Sequence, residues 1–180
     1  MEVSQAIRSR RSIRRYKAEP IAHEVIEQIV ADAAYAPSWK NTQIARYVLV
    51  EDRAVIDKMA EEMVLDFKLN EKTLKACPAL MVLTYVTGRS GYERDGSFST
   101  PKKDGFEMFD AGVAAQTFCL AAWERGVGTV ITGYFDEAKI IELLHLPENQ
   151  RVGCVIGMGY PDEERTQQDR FDQSRIHYVK

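Results

Sequence analysis

Between positions 8 and 17 the chain places six cations, Arg8, Arg10, Arg11, Arg14, Arg15 and Lys17, with no acid among them and Ser12 in their midst. In a chain whose formal net charge is −3 this is a concentrated anion site. The planar fork of a guanidinium matches phosphate oxygens two at a time. The same run also reads as a solvated helix end whose cations favour the negative pole of the helix dipole. Residue types alone leave these two readings level.

Two further segments carry polar chemistry. Pro37-Ser38-Trp39-Lys40-Asn41-Thr42-Gln43 lies where a helix ends and a strand begins. Its Ser, Asn and Gln offer donors and acceptors suited to the carbonyls and ring nitrogens of a planar heterocycle, although Pro, Ser and Asn also build ordinary turns. Gly126-Val127-Gly128-Thr129-Val130-Ile131-Thr132-Gly133-Tyr134-Phe135-Asp136 reads as a strand running into an Asp-capped helix. Free backbone N–H groups at such a junction can touch a ring or an oxyanion; a plain strand-turn-helix junction has the same pattern.

Several chemistries are absent. Gly157 and Gly159 are followed by Asp162 where a dinucleotide fingerprint needs its third glycine, and no Walker A loop or G-x-S-x-G elbow occurs. His23, His145 and His177 are too scattered to suggest zinc. Cys77, Cys119 and Cys154 lack a C-x-x-C pair and read as small buried hydrophobes in a reducing compartment. An enzyme with this inventory needs a cofactor to carry its chemistry.

The elements that position these residues follow from periodicity. Val3, Ala6 and Ile7 mark a short first helix, and Val25, Ile26, Ile29, Val30 and Ala33 mark an amphipathic one closed by Pro37. Tyr47 to Val50 predicts a strand, Ala54 to Phe67 a helix, and Leu80 to Val86 a buried strand. The polar, Gly- and Ser-containing stretch 88–105 predicts a loop or mobile segment. A long helix over Phe106 to Arg125 carries Ala111, Gly112, Ala114, Ala115, Ala121 and Ala122, small enough for another backbone to approach closely. Val127 to Thr132 predicts a strand, Asp136 caps a helix through Leu144, and Arg151 to Met158 predicts the last core strand. A polar C-terminal extension covers about 163–180, and within it Ile176 to Val179 could add an edge strand. Two helices precede any strand, which points to an α+β sandwich rather than a doubly wound sheet.

At 180 residues, 45% hydrophobic and 28% charged, the chain fits one domain over 1–180 with a core of its own. Its negative balance argues against nucleic-acid binding. Its longest apolar runs fall short of the roughly 18–20 residues that span a membrane. The N-terminus lacks the apolar stretch of a secretory signal. The expectation is a cytoplasmic protein.

In their order and spacing, the R-x-S-x-R opening, the P-S-x-x-N-x-Q loop, the Gly/Ala-rich central helix, the G-x-G strand entering the Tyr134-Phe135-Asp136 turn and the Gly159-Tyr160-Pro161 ending resemble the FMN-dependent nitroreductase family. The resemblance spans most of the chain. It implies an α+β sandwich with a central mixed, mostly antiparallel sheet flanked by helices, and a homodimer with FMN at the subunit interface. Arg10, Arg11 and Ser12 would hold the phosphate and ribityl end, and Arg14 would reach the pyrimidine edge of the ring. Pro37, Ser38, Trp39, Asn41 and Gln43 would approach the flavin from the partner subunit. Ile131, Thr132, Gly133 and Tyr134 would form the turn facing flavin N5, with Thr132, Gly133 and Arg14 at the reacting edge. Arg170 matches an arginine that closes on the phosphate, while Gln168 stands where a lysine is common. Lys72 matches a ring-contacting lysine.

The activity implied is ping-pong hydride transfer, from transiently stacked NADH or NADPH to the flavin and then to a nitroaromatic, quinone, enone or halogenated phenol. A flavin-binding or redox-sensing protein with little turnover is the alternative. A basic-patch interaction protein would leave the Asn41/Gln43 loop and the Thr132 turn without a role.

Overall fold

Ten regular elements follow one another among the described residues: α1 (Val3–Ser9), α2 (His23–Ala33), β1 (Ala45–Val50), α3 (Arg53–Glu62), α4 (Lys68–Lys75), β2 (Ala79–Val86), α5 (Gly105–Glu124), β3 (Gly128–Thr132), α6 (Glu137–Leu143) and β4 (Gln150–Gly159). The computed structural model describes residues 1–164, 166, 170 and 172–179; Gln168 lies outside them. The strands form one sheet in the order β1-β2-β4-β3, each antiparallel to its neighbours. Parallel pairing enters through the bridge between Ser12 and Thr129.

The continuous apolar run of β2 is explained by burial on both faces. Ala79, Met81, Leu83 and Tyr85 point to one side, where α2 and α5 pack. Leu80 and Val82 point to the other, against Ile56, Met59 and Ala60 of α3, Leu74 of α4 and Ile140 of α6. A strand alternates its side chains, and a helical layer on each face makes every position apolar. On β4 the alternation slips by one: Leu83 pairs with Cys154 but Thr84 pairs with Val152. Gly153 is the bulged residue, where a Cβ would stand 3.3 Å from that of Ala111 and 3.4 Å from the Leu83 carbonyl oxygen. The slip sends both Val152 and Val155 to the α3/α6 side.

Helix α5 separates its small residues by face. Ala111, Ala114, Ala115, Ala121 and Ala122 are buried against the sheet and α2, so close helix approach is made within the chain. Gly112 turns outward with nothing within 4 Å of the place a Cβ would occupy. Met108 and Phe109 beside it are exposed, and a shallow groove of about 490 Å³ runs along this face to Thr117.

Two expectations are corrected. The stretch from Ala54 to Phe67 is not one helix: α3 ends at Glu62, and Leu65 and Asp66 take left-handed φ of 49° and 58° before α4 begins. Asp52 caps α3 by accepting from the N–H groups of Ala54 and Val55, and burial of Met63 and Val64 ends it by turning the chain into the core. Residues 176–179 pair with no strand among the described residues, and Ile176, Tyr178 and Val179 are exposed. The stretch 88–105 contains a small hairpin, with Tyr92 bridged to Phe98 around Asp95-Gly96.

Candidate cofactor site

The arginine-rich segment leaves α1 in extended form and is stitched to the end of the sheet. Ile13 donates its N–H to the Thr129 carbonyl at 3.0 Å, Lys17 donates to Tyr160 at 2.9 Å, and Asp162 donates to Arg15 at 3.0 Å. Ile13 is buried, and Gly128 makes room for it: a Cβ there would lie 2.8 Å from Ile13 Cγ1. The Tyr16 hydroxyl, on a half-buried ring, donates to the Ile13 carbonyl at 2.5 Å, and desolvation holds its pKa far above the usual phenol value.

These anchors sort the cations. The Arg11 guanidinium donates through Nη1 to the carbonyls of Arg8 and Arg10, both at 2.7 Å. Its Nε reaches the Thr166 carbonyl at 3.4 Å. Arg15 pairs with Glu163, whose carboxylate also accepts from the N–H groups of Arg14 and Arg15. Arg10 and Arg14 are half-buried, and neither guanidinium makes a hydrogen bond or ion pair with another described residue. Two guanidiniums not spent on other described residues suit an anionic ligand. Ser12 pairs with Thr129, three residues before Thr132, so the segment that carries them meets β3 on the order of 10 Å from the far end of the strand.

At the far end of β3 the turn offers backbone and apolar surface. The Thr132 side chain is buried and its hydroxyl donates to the Val155 carbonyl at 3.0 Å, so Thr132 presents only main chain. Gly133 has open space where a Cβ would be. Ile131 and Tyr134 are exposed. Phe67 meets Tyr134 edge-on at 5.9 Å, and Asn70 Nδ2 approaches the Tyr134 carbonyl at 3.5 Å. The start of α4, with exposed Lys72 two residues on, therefore flanks the turn. Arg170 is exposed, and no hydrogen bond or ion pair joins it to another described residue.

The loop from Pro37 to Gln43 stands elsewhere. It leads into β1, and β1 and β3 are opposite edges of the sheet, separated by three strand spacings or roughly 14 Å. The structure thus joins the arginine segment to the β3 turn and keeps this loop apart from both. Lys40, Asn41 and Gln43 all take positive φ, 45°, 56° and 51°, a region costing about 1 kcal/mol or more for a residue with a side chain. Ser38 Oγ accepts from the Gln43 N–H at 2.9 Å, and Asn41 Oδ1 accepts from Gln43 Nε2 at 3.3 Å. The Trp39 ring packs on Phe106 at 4.2 Å. A cleft of about 320 Å³ opens here, lined by Pro37, Ser38, Asn41, Gln43, Arg89 and Asp110 among others.

Periodicity did not single out Asp110 and Glu107, the buried acids of α5. The available signal was spacing: Asp110 sits four residues before Ala114 and Glu107 four before Ala111, on the stripe that faces the core. Burial raises the Glu107 carboxyl above its usual range, opposed by hydrogen bonds from the N–H groups of Gly88 and Arg89. The three cysteines are buried and free. Burial pushes the thiols of Cys77 and Cys154 up to about 12 and also raises that of Cys119, so none is a ready nucleophile. His23 is an exposed partner of Glu51, and the described residues hold no metal-binding cluster. No helix among them is long and apolar enough to cross a membrane.

Comparison with known proteins agrees with this geometry. The sequence pattern of the Nitroreductase family matches residues 7–160. A provisionally named NADH dehydrogenase/NAD(P)H nitroreductase of Archaeoglobus fulgidus is 32% identical, over 99% of this chain and 98% of its own. An FMN reductase [NAD(P)H] of Bacillus subtilis is 27% identical over 98% of this chain and 73% of its own. Among solved structures, a provisionally named NADH dehydrogenase/NAD(P)H nitroreductase of Bacteroides thetaiotaomicron superposes with a TM-score of 0.81 at 28% identity, covering 97% of this chain and 95% of that one.

Proposed function

The chain belongs to the nitroreductase family, and on that premise we propose that it is an FMN-dependent NAD(P)H oxidoreductase that works as a homodimer in the cytoplasm. The observation that carries this reading is the pairing of Ser12 and Ile13 with Thr129. It ties the segment that carries Arg10 and Arg14, whose guanidiniums have no partner among the described residues, to the strand whose far end is the open Gly133 turn. The FMN-named relative supports the choice of flavin, and the residues fit such a group: cations at one end, main chain and apolar surface at the other.

Bound FMN supplies a carrier that takes hydride from NAD(P)H and gives it to an electron-poor organic acceptor. Arg10 and Ser12 grip the phosphate end, with the remaining Arg11 nitrogen beside them and Arg170 free to close over it. Arg14 places a cation at the pyrimidine edge, where negative charge gathers on reduction. The main chain of Thr132 and Gly133 approaches the reacting edge without a side chain in the way. Ile131 and Tyr134 cover the neighbouring ring surface and exclude water, with Lys72 at the rim.

The position of the Pro37–Gln43 loop supports the homodimer. Within one chain it lies at the opposite sheet edge, so Pro37, Ser38, Trp39, Asn41 and Gln43 meet the flavin of a second copy. The outward face of α5, with Met108, Phe109 and Gly112, is an exposed apolar surface of the kind that a second subunit covers. Nitroaromatics and quinones suit the open turn as acceptors.

Initial-rate kinetics test the reading. With FMN-loaded protein, varying NADH or NADPH against a nitroaromatic or quinone should give the parallel double-reciprocal lines of a ping-pong exchange. Absence of turnover with every donor and acceptor pair contradicts it.

A further inference from the structure

Asp110 is 4% exposed, and its Oδ2 serves two donors from distant parts of the chain. The Trp39 backbone N–H donates to it at 2.9 Å. The fully buried Ser90 hydroxyl donates to the same oxygen. Three residues earlier on α5, Glu107 accepts from the Gly88 N–H at 2.6 Å, and Phe106 carries the Trp39 ring. One turn of α5 therefore holds both the Pro37–Gln43 loop and the root of the 88–105 hairpin.

A second link between these segments lies outside: Lys40 Nζ meets Glu93 at 2.8 Å. Both partners are about half exposed, and ion pairs in water hold little. The loop also needs restraint, because Lys40, Asn41 and Gln43 are all in left-handed backbone. Its own hydrogen bonds set the turn, and a buried attachment fixes that turn to the rest of the chain. A carboxylate withdrawn from water is tolerated where it is hydrogen-bonded, and its bonds are the strong, charge-assisted kind.

We propose that Asp110 is a positioning residue that couples the flavin-facing loop to the 88–105 hairpin, fixing the two as one wall of the acceptor pocket. What that wall encloses rests on the flavin reading. The coupling itself stands on the geometry of Asp110, Trp39 and Ser90. Asp110 is almost wholly withdrawn behind the cleft it helps to line. It acts through the Trp39 main chain on one side and through Ser90 on the other.

The test uses Asp110→Ala, Asp110→Asn and Ser90→Ala in the full-length protein. Amide hydrogen exchange at Trp39 is measured without flavin and referred to Val82 in the central strand. FMN affinity and the acceptor KM and kcat are measured on loaded protein. Asp110→Ala should speed Trp39 exchange about tenfold relative to Val82, the loss of one hydrogen bond to a charged acceptor. It should weaken FMN binding by a similar factor and raise the acceptor KM more than it lowers kcat. Asp110→Asn keeps one acceptor oxygen and should fall between Asp110→Ala and wild type. Ser90→Ala frees the hairpin alone, so it should raise the acceptor KM while Trp39 exchange stays slow.

A uniform rise in exchange at Trp39 and Val82 together would overturn the proposal in favour of a general loss of stability. So would unchanged Trp39 exchange in Asp110→Ala. If that variant does not fold, Asp110→Asn with wild-type Trp39 exchange and wild-type FMN affinity overturns it. Wild-type protein that binds no FMN defeats the flavin reading, and the exchange data still judge the coupling.

Discussion

Ile13 donates its backbone N–H to the carbonyl of Thr129 at 3.0 Å, and Gly128 beside it leaves no room for a side chain. This one contact welds the arginine-rich segment to the strand that ends in the Gly133 turn.

Arg10 and Arg14 should differ in what they control. Arg10→Ala is expected to weaken FMN binding by about tenfold to a hundredfold, the worth of a charge-assisted hydrogen bond or two, as read by fluorescence titration. Arg14→Ala should bind FMN with less change and should lower the reduction potential of the bound flavin, because a cation at the pyrimidine edge favours the reduced form. Equal effects of both variants on affinity and potential would contradict the division.

Two glycines separate assembly of the site from access to it. Gly128→Ala puts a Cβ 2.8 Å from Ile13 Cγ1 and 3.0 Å from Pro161 Cγ, so it should cost about 1–3 kcal/mol, as overpacking does, and should loosen FMN as well. Gly133→Ala meets nothing within 4 Å and should leave the melting temperature unchanged while slowing flavin reduction by NAD(P)H. A Gly133→Ala variant with wild-type reduction rates would remove that turn from the site.

The helix that follows the turn depends on Asp136. Its carboxylate accepts from the Lys139 N–H, and its own N–H donates to the Met63 carbonyl at 2.7 Å. Asp136→Ala should cost about 1 kcal/mol, lowering the melting temperature by roughly 2–4 °C in a chain of this size. Calorimetry of the flavin-free protein reads this directly.

Two carboxyls should give stability opposite pH dependences. Arg151 grips Glu137 through Nε at 2.8 Å and Nη2 at 2.6 Å, and that pairing holds the Glu137 carboxyl below its usual range. Its contribution is complete above the unfolded pKa and is lost as pH falls through the depressed folded value. Glu137→Gln should therefore destabilise at neutral pH, with the deficit closing in acid. Glu107 is raised by burial, so its contribution is present below the unfolded pKa and fades as pH rises through the folded one. The deficit of Glu107→Gln should shrink in that direction. Denaturant midpoints against pH check both; pH-independent deficits would contradict the assignments.

Much of the fold was legible because local signals and tertiary burial agreed. The run Leu80–Val86 and the Asp136 cap are cases where pattern and packing point the same way. The break at Leu65-Asp66 was not legible, since left-handed backbone at non-glycine residues is imposed by the core around Met63 and Val64. Within the site, the arginine segment was visible as a cluster, yet its division was not. Which guanidinium is spent on carbonyls depends on how the chain turns at Arg11. Asp110 was hidden for a similar reason: an acid among alanines reads as a flaw in the stripe until its two donors, Trp39 and Ser90, are seen in space.

The most direct test of the central claim is a single anaerobic mixing experiment. Protein loaded with FMN and freed of excess flavin is mixed with NADH, and separately with NADPH, in the absence of oxygen. The visible flavin band should bleach with at least one donor and return when a nitroaromatic or quinone is added. Full retention of the band with both donors would contradict a reductase and leave a flavin-binding protein without turnover.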